Sequence, residues 1–421
     1  MRVNTLVNYQ DQRVDWYLML LLGIVAAFGL VMVFSASVAQ AERLHDNTLY
    51  FGRNQALYLL IGFAVAAVVW RIPLEMWERY GLAFLAFSFV LLMLVLIPGI
   101  GKSVNGSQRW LNLGVSFQPS ELHKVAVIIF LAGFFVRKGD QLRTKPGVFA
   151  LPLLVAAASG ALLIPEPDYG ATVVIAATIF AMMFLAGVRW LHIIAVVVLF
   201  VPIAVVLILI SPYRRDRLFS FLNPWDDPFD TDFQLTQSLI AVGRGAFDGV
   251  GIGSSVQKMA YLPEAHTDFV FAVLAEETGL IGVTVILALF ALIITRAFRI
   301  ARDAERAGLL FGAYIATGVG FWIGLQAFVN IGANMGVLPT KGITLPFLSY
   351  GGSSALMTCF AFGLVLRVHT ETNDAQFQEH KRIIQSREET KAGMRLASAH
   401  YEDGSNSQTD SQQLSGDAYH G

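Results

Sequence analysis

Residues 16–38 read WYLMLLLGIVAAFGLVMVFSASV, a run without one charged side chain. A helix rises ~1.5 Å per residue, so a run of this length reaches across the ~30 Å hydrocarbon core of a bilayer. The Ala39-Gln40-Ala41 that follows resembles a signal-peptidase site. The apolar run before it is longer than the roughly 7–15 residues of a signal h-region, so the segment reads as an uncleaved first span.

The same pattern recurs down the chain. Further apolar runs fall at 55–71, 80–98, 120–137, 147–165, 170–187, 190–211, 269–296, 308–336 and 350–368, giving about ten candidate spans. Trp16, Trp70, Trp110 and Trp190 stand at run ends, where interfacial aromatics belong. The chain has 421 residues, 55% hydrophobic and 14% charged, with mean hydropathy +0.58. Soluble domains average about 25% charged, so composition excludes an ordinary soluble protein. The single cysteine, Cys359, excludes an internal disulfide and a cysteine-type zinc site. Net charge is −1, and no nucleic-acid partner is expected.

The predicted fold is therefore an all-α membrane protein of about ten transmembrane helices. Short loops set its orientation. Arg137, Lys138, Arg143 and Lys145 share a side with Arg296, Arg299, Arg302 and Arg306, and with both termini. The positive-inside rule makes that side cytoplasmic. Residues 1–15 then form a cytoplasmic N-terminus, and 16–368 the membrane domain. The polar segment 369–421, rich in Ser, Gln and Asp, is expected to be a disordered cytoplasmic tail.

Three polar segments face outward: about 99–119, the large loop 212–268 between spans 7 and 8, and about 337–349. They carry Arg109, Arg214, Arg215, Arg217, Arg244, Lys258 and Lys341, against the positive-inside bias. Anchoring to anionic headgroups accounts for such cations, and so does a site for a pyrophosphate-like anion, which the guanidinium fork suits. The glycine-rich GRGAFDGVGIGSS at 243–255 fits neither the P-loop nor the dinucleotide fingerprint, and a flexible turn is its plainer meaning. FQLTQSLIAVG at 233–243 has helical periodicity. Glu121 and Lys124, three apart, share a helix face as an ion pair or as an anion-holding lysine with its partner. Asp168 suits the N-cap of the sixth span, and Asp268 a cap beside Thr267. TKGITLPFLSYGGSS, 340–354, suggests a kinked re-entrant segment lining a cavity. Glu276 lies ~12 Å along the helix from Asp268. Glu276 and Glu277 therefore read as buried residues with structural partners, or as residues lining a cavity, and not as catalytic groups.

Taken together, GSQRWLNLG, FQPSELHK, PEPDYGAT, NPWDDPF, FQLTQSL, YLPEAHTDFVFAVLAEETG and LPTKGITLPFLSYGGSS resemble the signature segments of the SEDS family of bacterial cell-wall polymerases, in family order over about residues 16–370. PTKGITLPFLSYGGSS and YLPEAHTDF look like the division branch, AVLAEETG more like the elongation branch. The resemblance implies peptidoglycan glycosyltransfer from lipid II at the periplasmic face, releasing undecaprenyl diphosphate. Its implied partners are a class B penicillin-binding transpeptidase and other divisome proteins at the septum of the inner membrane. The family's essential aspartate falls on Asp268, as general base, and substrate contacts fall on Arg109, Trp110, Glu121, Lys124 and Asp168, with Arg244 and Lys341 as further cations. Glu166 departs from a common family glutamine. A divalent cation, Mg or Mn, is an expected aid to the leaving diphosphate. Two other classes fit the same spans: a lipid II flippase or ion-coupled carrier, and a scaffold that recruits a transpeptidase.

Overall fold

The structure, a computed structural model, describes residues 14–104, 107–112, 116–144, 146–189, 224–225, 233–259, 261–339 and 342–416, with scattered positions between 191 and 209. Its elements run α1 (Trp16–His45), α2 (Tyr50–Arg71), α3 (Leu74–Leu96), β1 (Gly101–Val104), β2 (Ser107–Asn112), β3 (Ser116–Phe117), α4 (Pro119–Thr144), a 3₁₀ turn (Pro146–Phe149), α5 (Ala150–Leu163), α6 (Tyr169–Leu185), α7 (Phe233–Arg244), α8 (Val270–Arg306), α9 (Leu310–Asn334) and α10 (Gly352–Gly416). Among the described residues seven helices, α1–α4 and α8–α10, have the length and apolarity to cross a membrane, and α5 and α6 are shorter apolar helices. These carry nine of the expected spans; the span at 190–211 and Arg214, Arg215, Arg217 and Lys341 lie wholly or mostly outside the described residues.

Packing divides the chain into two units, Val14–His369 and Met1–Arg13 with Thr370–Gly421. In the second unit the described residues are helical through Gly416, where composition predicts disorder. Glu, Lys, Arg, Gln and Ala favour helix locally, while every side chain from Lys381 to Met394 except Ile384 is exposed. That helix rests on local propensity and has no core along this stretch.

In the first unit α4 is the central helix. It is buried on all sides from Val125 to Ala132, as a helix apolar all round must be. α2 and α3 instead expose Leu57, Leu60, Leu82 and Phe87, an apolar outer surface suited to lipid. α8 and α9 pack closely: the Gly320 face meets Ala297 and Phe298, and Gly324 meets Ile294. The small-residue spacing in α9 thus serves helix packing. Asp15 caps α1, accepting from Leu18 N at 3.0 Å, and pairs with Arg296 Nε at 2.6 Å.

The loop between α3 and α4 holds an antiparallel sheet, β1-β2-β3, with Lys102 opposite Trp110 and Leu111 opposite Phe117. Sequence periodicity gave no sign of it, because each strand is short.

α8 is not continuous. Gly279 takes φ 62° and ψ −163°, which breaks the helix about two and a half turns after its buried start at Val270. The backbone groups freed there pair with the glycine-rich segment: Val250 N donates to Glu276 O (3.0 Å), Gly251 N to Glu277 O (3.1 Å), Leu280 N to Ala246 O (3.1 Å) and Ile281 N to Phe247 O (3.2 Å). Residues 243–255 are therefore no free turn. They plug the break, and a Cβ on Gly249, itself at φ 80°, would enter the Glu277 backbone.

Candidate functional site

Asp268 ends the segment that leads into α8. It is partly exposed and stands one residue before the helix N-cap, Phe269, which has no side-chain cap. The expected capping role for Asp268 is thus not realised. Instead Asn334 of α9 caps α8 from outside, its Oδ1 accepting from Ala272 N at 3.2 Å. Asp268 is held by its main chain: its carbonyl accepts from Asn330 Nδ2 and from Asn334 Nδ2, each at 3.0 Å, and its N–H donates to Glu264 O. The carboxylate stays on the side of Gly342. A Cβ built on Gly342 would sit 3.0 Å from Asp268 Oδ2 and 3.6 Å from Arg109 Nη1. The aspartate and the arginine, 159 positions apart by number, therefore converge on one glycine of the 342–351 segment.

Arg109 is aimed there by β2 and by the turn between α5 and α6. Its Nε donates to Glu166 O at 3.3 Å and its Nη2 to Pro167 O at 2.5 Å. Neutral carbonyls fix the guanidinium without cancelling its charge. Glu166 itself is fully buried, and both its carboxyl oxygens lack a hydrogen-bond partner among the described residues. Burial first, and then the nearby Asp168, push its carboxyl up to about 8, while Arg109 pulls the other way. At neutral pH it is a neutral acid and adds no negative charge beside Arg109. Trp110, on the neighbouring strand position, is half-buried.

Asp168 is committed to the fold. It caps α6, accepting from Ala171 N at 3.2 Å, and its other oxygen accepts from Ser120 Oγ (3.0 Å) and Gln118 Nε2 (3.2 Å). At 2% exposure it offers nothing to a substrate, so the expected substrate contact is replaced by a clamp between the starts of α4 and α6.

Glu121 and Lys124 form the buried ion pair, 2.7 Å apart. Lys124 Nζ also donates to Gln326 Oε1 at 2.8 Å and lies 5.0 Å from the Trp322 ring centre. Two of its three donors are used inside the bundle and the residue is 4% exposed, so the lysine expected to hold an anion at the surface is instead buried. Its influence passes through Gln326, whose Nε2 donates to Thr344 O at 2.9 Å. The segment 342–351 is pinned further by Gln55 to Ser349 O, by Tyr350 N to His266 O, and by Thr344 Oγ1 to Ser354 Oγ. His266 is buried against Phe51 and Tyr350, and burial lowers its pKa to about 4, so the ring is neutral.

Glu276 and Glu277 have the structural partners expected of them. Glu276 accepts from Ser255 Oγ (2.5 Å), Val256 N (3.1 Å) and Arg244 Nη1 (3.3 Å). Glu277 accepts from Ser35 Oγ (2.7 Å) and Lys258 Nζ (2.7 Å). Together they tie the glycine-rich plug to α8. Arg244 keeps 45% of its side chain exposed and pairs with Glu276 in this cluster.

Among the described residues no group of three or more His, Cys, Asp or Glu converges as a metal site. The expected Mg or Mn therefore finds no cage built by those side chains. Asn330, Asn334, Gln326, Glu166 and His266 were not singled out as site residues from sequence. The signal for three of them was present: Gln326, Asn330 and Asn334 are amides at spacings of four in an apolar span.

The sequence profile of the FtsW/RodA/SpoVE cell cycle protein family matches residues 15–374. A protein of Thioalkalivibrio sulfidiphilus named "Probable peptidoglycan glycosyltransferase FtsW" is 51% identical over 362 residues, 86% of this chain and 90% of that one. One of the same name from Nitrosococcus halophilus is 52% identical over 359 residues, 85% of this chain and 92% of its own. Among solved structures, a chain of a peptidoglycan synthase complex described as coordinating polymerization and crosslinking superposes with TM-score 0.70 at 29% identity, covering 85% of this chain and 98% of that one. The rod shape determining protein RodA of Thermus thermophilus superposes with TM-score 0.62 at 27% identity, covering 85% and 96%.

Proposed function

This chain belongs to the FtsW/RodA/SpoVE family, and on that premise we propose that it is an inner-membrane peptidoglycan glycosyltransferase that polymerises lipid II at the periplasmic face during division. The observation that carries the assignment to a site is the convergence of the Asp268 carboxylate and the Arg109 guanidinium on Gly342.

Lipid II carries an α-linked diphosphate and the polymer is β-1,4-linked, so one inverting displacement suffices. The acceptor 4-hydroxyl gives its proton to Asp268. Its oxygen forms the bond to the donor's anomeric carbon, and the bond from that carbon to the diphosphate oxygen breaks with its electron pair. Undecaprenyl diphosphate leaves. A general base is typically worth ~10²–10⁴-fold. Charge on the leaving diphosphate is met by Arg109, whose fork suits phosphate oxygens and beside which the neutral Glu166 adds no negative charge. Trp110 offers an apolar face at the same strand.

The proposal extends to the setting. Both termini are cytoplasmic, the protein works at the septum, and a class B penicillin-binding transpeptidase pairs with it, as the fold likeness to a chain of a peptidoglycan synthase complex supports. Reconstitution into liposomes with lipid II, with and without that partner, tests the function. Glycan polymer and released undecaprenyl diphosphate are expected. Lipid II crossing the bilayer without polymer would make the protein a carrier, and partner binding with neither activity would make it a scaffold.

A further inference from the structure

We infer that Asn330 and Asn334 are positioning residues for glycosyl transfer, setting Asp268 through its main-chain carbonyl. The inference rests on Asp268 being the base. Asn330 and Asn334 lie one helical turn apart on α9, and each is 1% exposed. Buried amides are costly unless every polar atom is engaged. Here the engagement is directed at one place. Both donors of Asn330 are used, on Asp268 O (3.0 Å) and on Ile343 O (2.6 Å). Asn334 donates to Asp268 O (3.0 Å) and to Asn330 O (2.9 Å), and accepts from Ala272 N (3.2 Å). Every Nδ2 contact within 3.0 Å ends on a carbonyl oxygen, which fixes the orientation of both amides.

The consequence is geometric. Asn330 joins the carbonyl of Asp268 to that of Ile343, the residue after Gly342, and Gly342 is the position that the Asp268 carboxylate and Arg109 both face. One amide thus sets the distance between the base and the surface it works against. Asn334 fixes the start of α8 and so the direction in which Asp268 leaves the helix. Ser238 Oγ of α7 donates to Asn334 O at 2.7 Å, which ties this arrangement to the large loop. Gln326, one turn earlier on the same face, links the Lys124–Glu121 pair to Thr344 O, so residues 343 and 344 are both registered from α9. Neither asparagine side chain reaches the Gly342 face itself, so neither is a catalytic residue.

The test compares Asn330→Leu, Asn334→Leu and Asp268→Asn in the full chain, with kcat and KM measured for lipid II polymerisation and melting measured alongside. A reacting group misplaced by about 1 Å loses roughly 100-fold, so each asparagine variant is expected to lose at least about tenfold in kcat with KM held within about threefold. Packing alone would not produce that split. Should Asn330→Leu fail to fold, Asn334→Leu, which spares the Ile343 contact, carries the same expectation. Folded asparagine variants with wild-type kcat, beside an inactive Asp268→Asn, would overturn this inference and leave the base in place. A KM increase at unchanged kcat would overturn it too, by making the amides substrate contacts. An active Asp268→Asn would overturn the base, and the inference with it.

Discussion

Replacing Gly342 with alanine is expected to silence the site and spare the fold. The new methyl would stand 3.0 Å from Asp268 Oδ2 and 3.6 Å from Arg109 Nη1, and the three nearest atoms are all side-chain atoms of those two residues. A relaxed carbon contact is about 3.5 Å, so the carboxylate must withdraw by roughly 0.5 Å. A displacement near 1 Å costs about 100-fold, and the methyl also occupies the approach to the base, so kcat is expected to fall about 10- to 100-fold. That is ~1.4–2.7 kcal/mol of lost transition-state stabilisation. Stability should hardly change, because removing a glycine from the unfolded chain returns ~0.4–1 kcal/mol. The assay is lipid II polymerisation resolved by glycan length, with thermal melting of the same preparation. Wild-type polymerisation by a normally melting Gly342→Ala would refute the reasoning, since the reacting hydroxyl would then have to meet Asp268 from another side.

Two further outcomes follow from buried carboxylates. Glu166 is raised to about 8 from an unfolded value of 4.5, so the folded chain binds the extra proton between those values. Its contribution to stability is whole below about pH 4.5 and is lost as pH rises through about 8; the fall in melting temperature from pH 5 to 9 should flatten in Glu166→Gln, and an unchanged or steeper fall would count against a buried neutral acid. Lys258 and Glu277 pair at 2.7 Å with both side chains nearly fully buried. Lys258→Met strands the carboxylate and should cost ~3–5 kcal/mol, whereas Lys258→Met/Glu277→Gln should recover most of the melting temperature. A single variant that melts like wild type would show that the plug is not held by this pair.

Much of the architecture was legible because lipid imposes a simple rule. Apolar runs of span length announced nine of the described helices, and the i, i+3 spacing of Glu121 and Lys124 announced their pair. The cap at Asp168 was legible for a local reason, since a capping side chain bonds within three residues. What sequence could not give is pairing over long separations. Nothing near GRGAFDGVGIGSS shows that its backbone completes a helix broken at Gly279. Nothing near Asp268 shows that its cap is supplied by Asn334 on another helix, which is why a local N-cap was the plain expectation there. Lys124 looked available because its distant partners, Gln326 and Trp322, lie about 200 positions away. Asn330 and Asn334 sit in a glycine-rich span, where small-residue spacing points to packing.

The claim that binds these observations together is that Asp268 takes the acceptor's proton. Its most direct measurement is lipid II polymerisation by purified Asp268→Asn, at a melting temperature matching wild type. Loss of at least about 100-fold in kcat is the predicted result, the scale expected when a general base is removed. Polymer formed at a near-normal rate by the folded variant would contradict it.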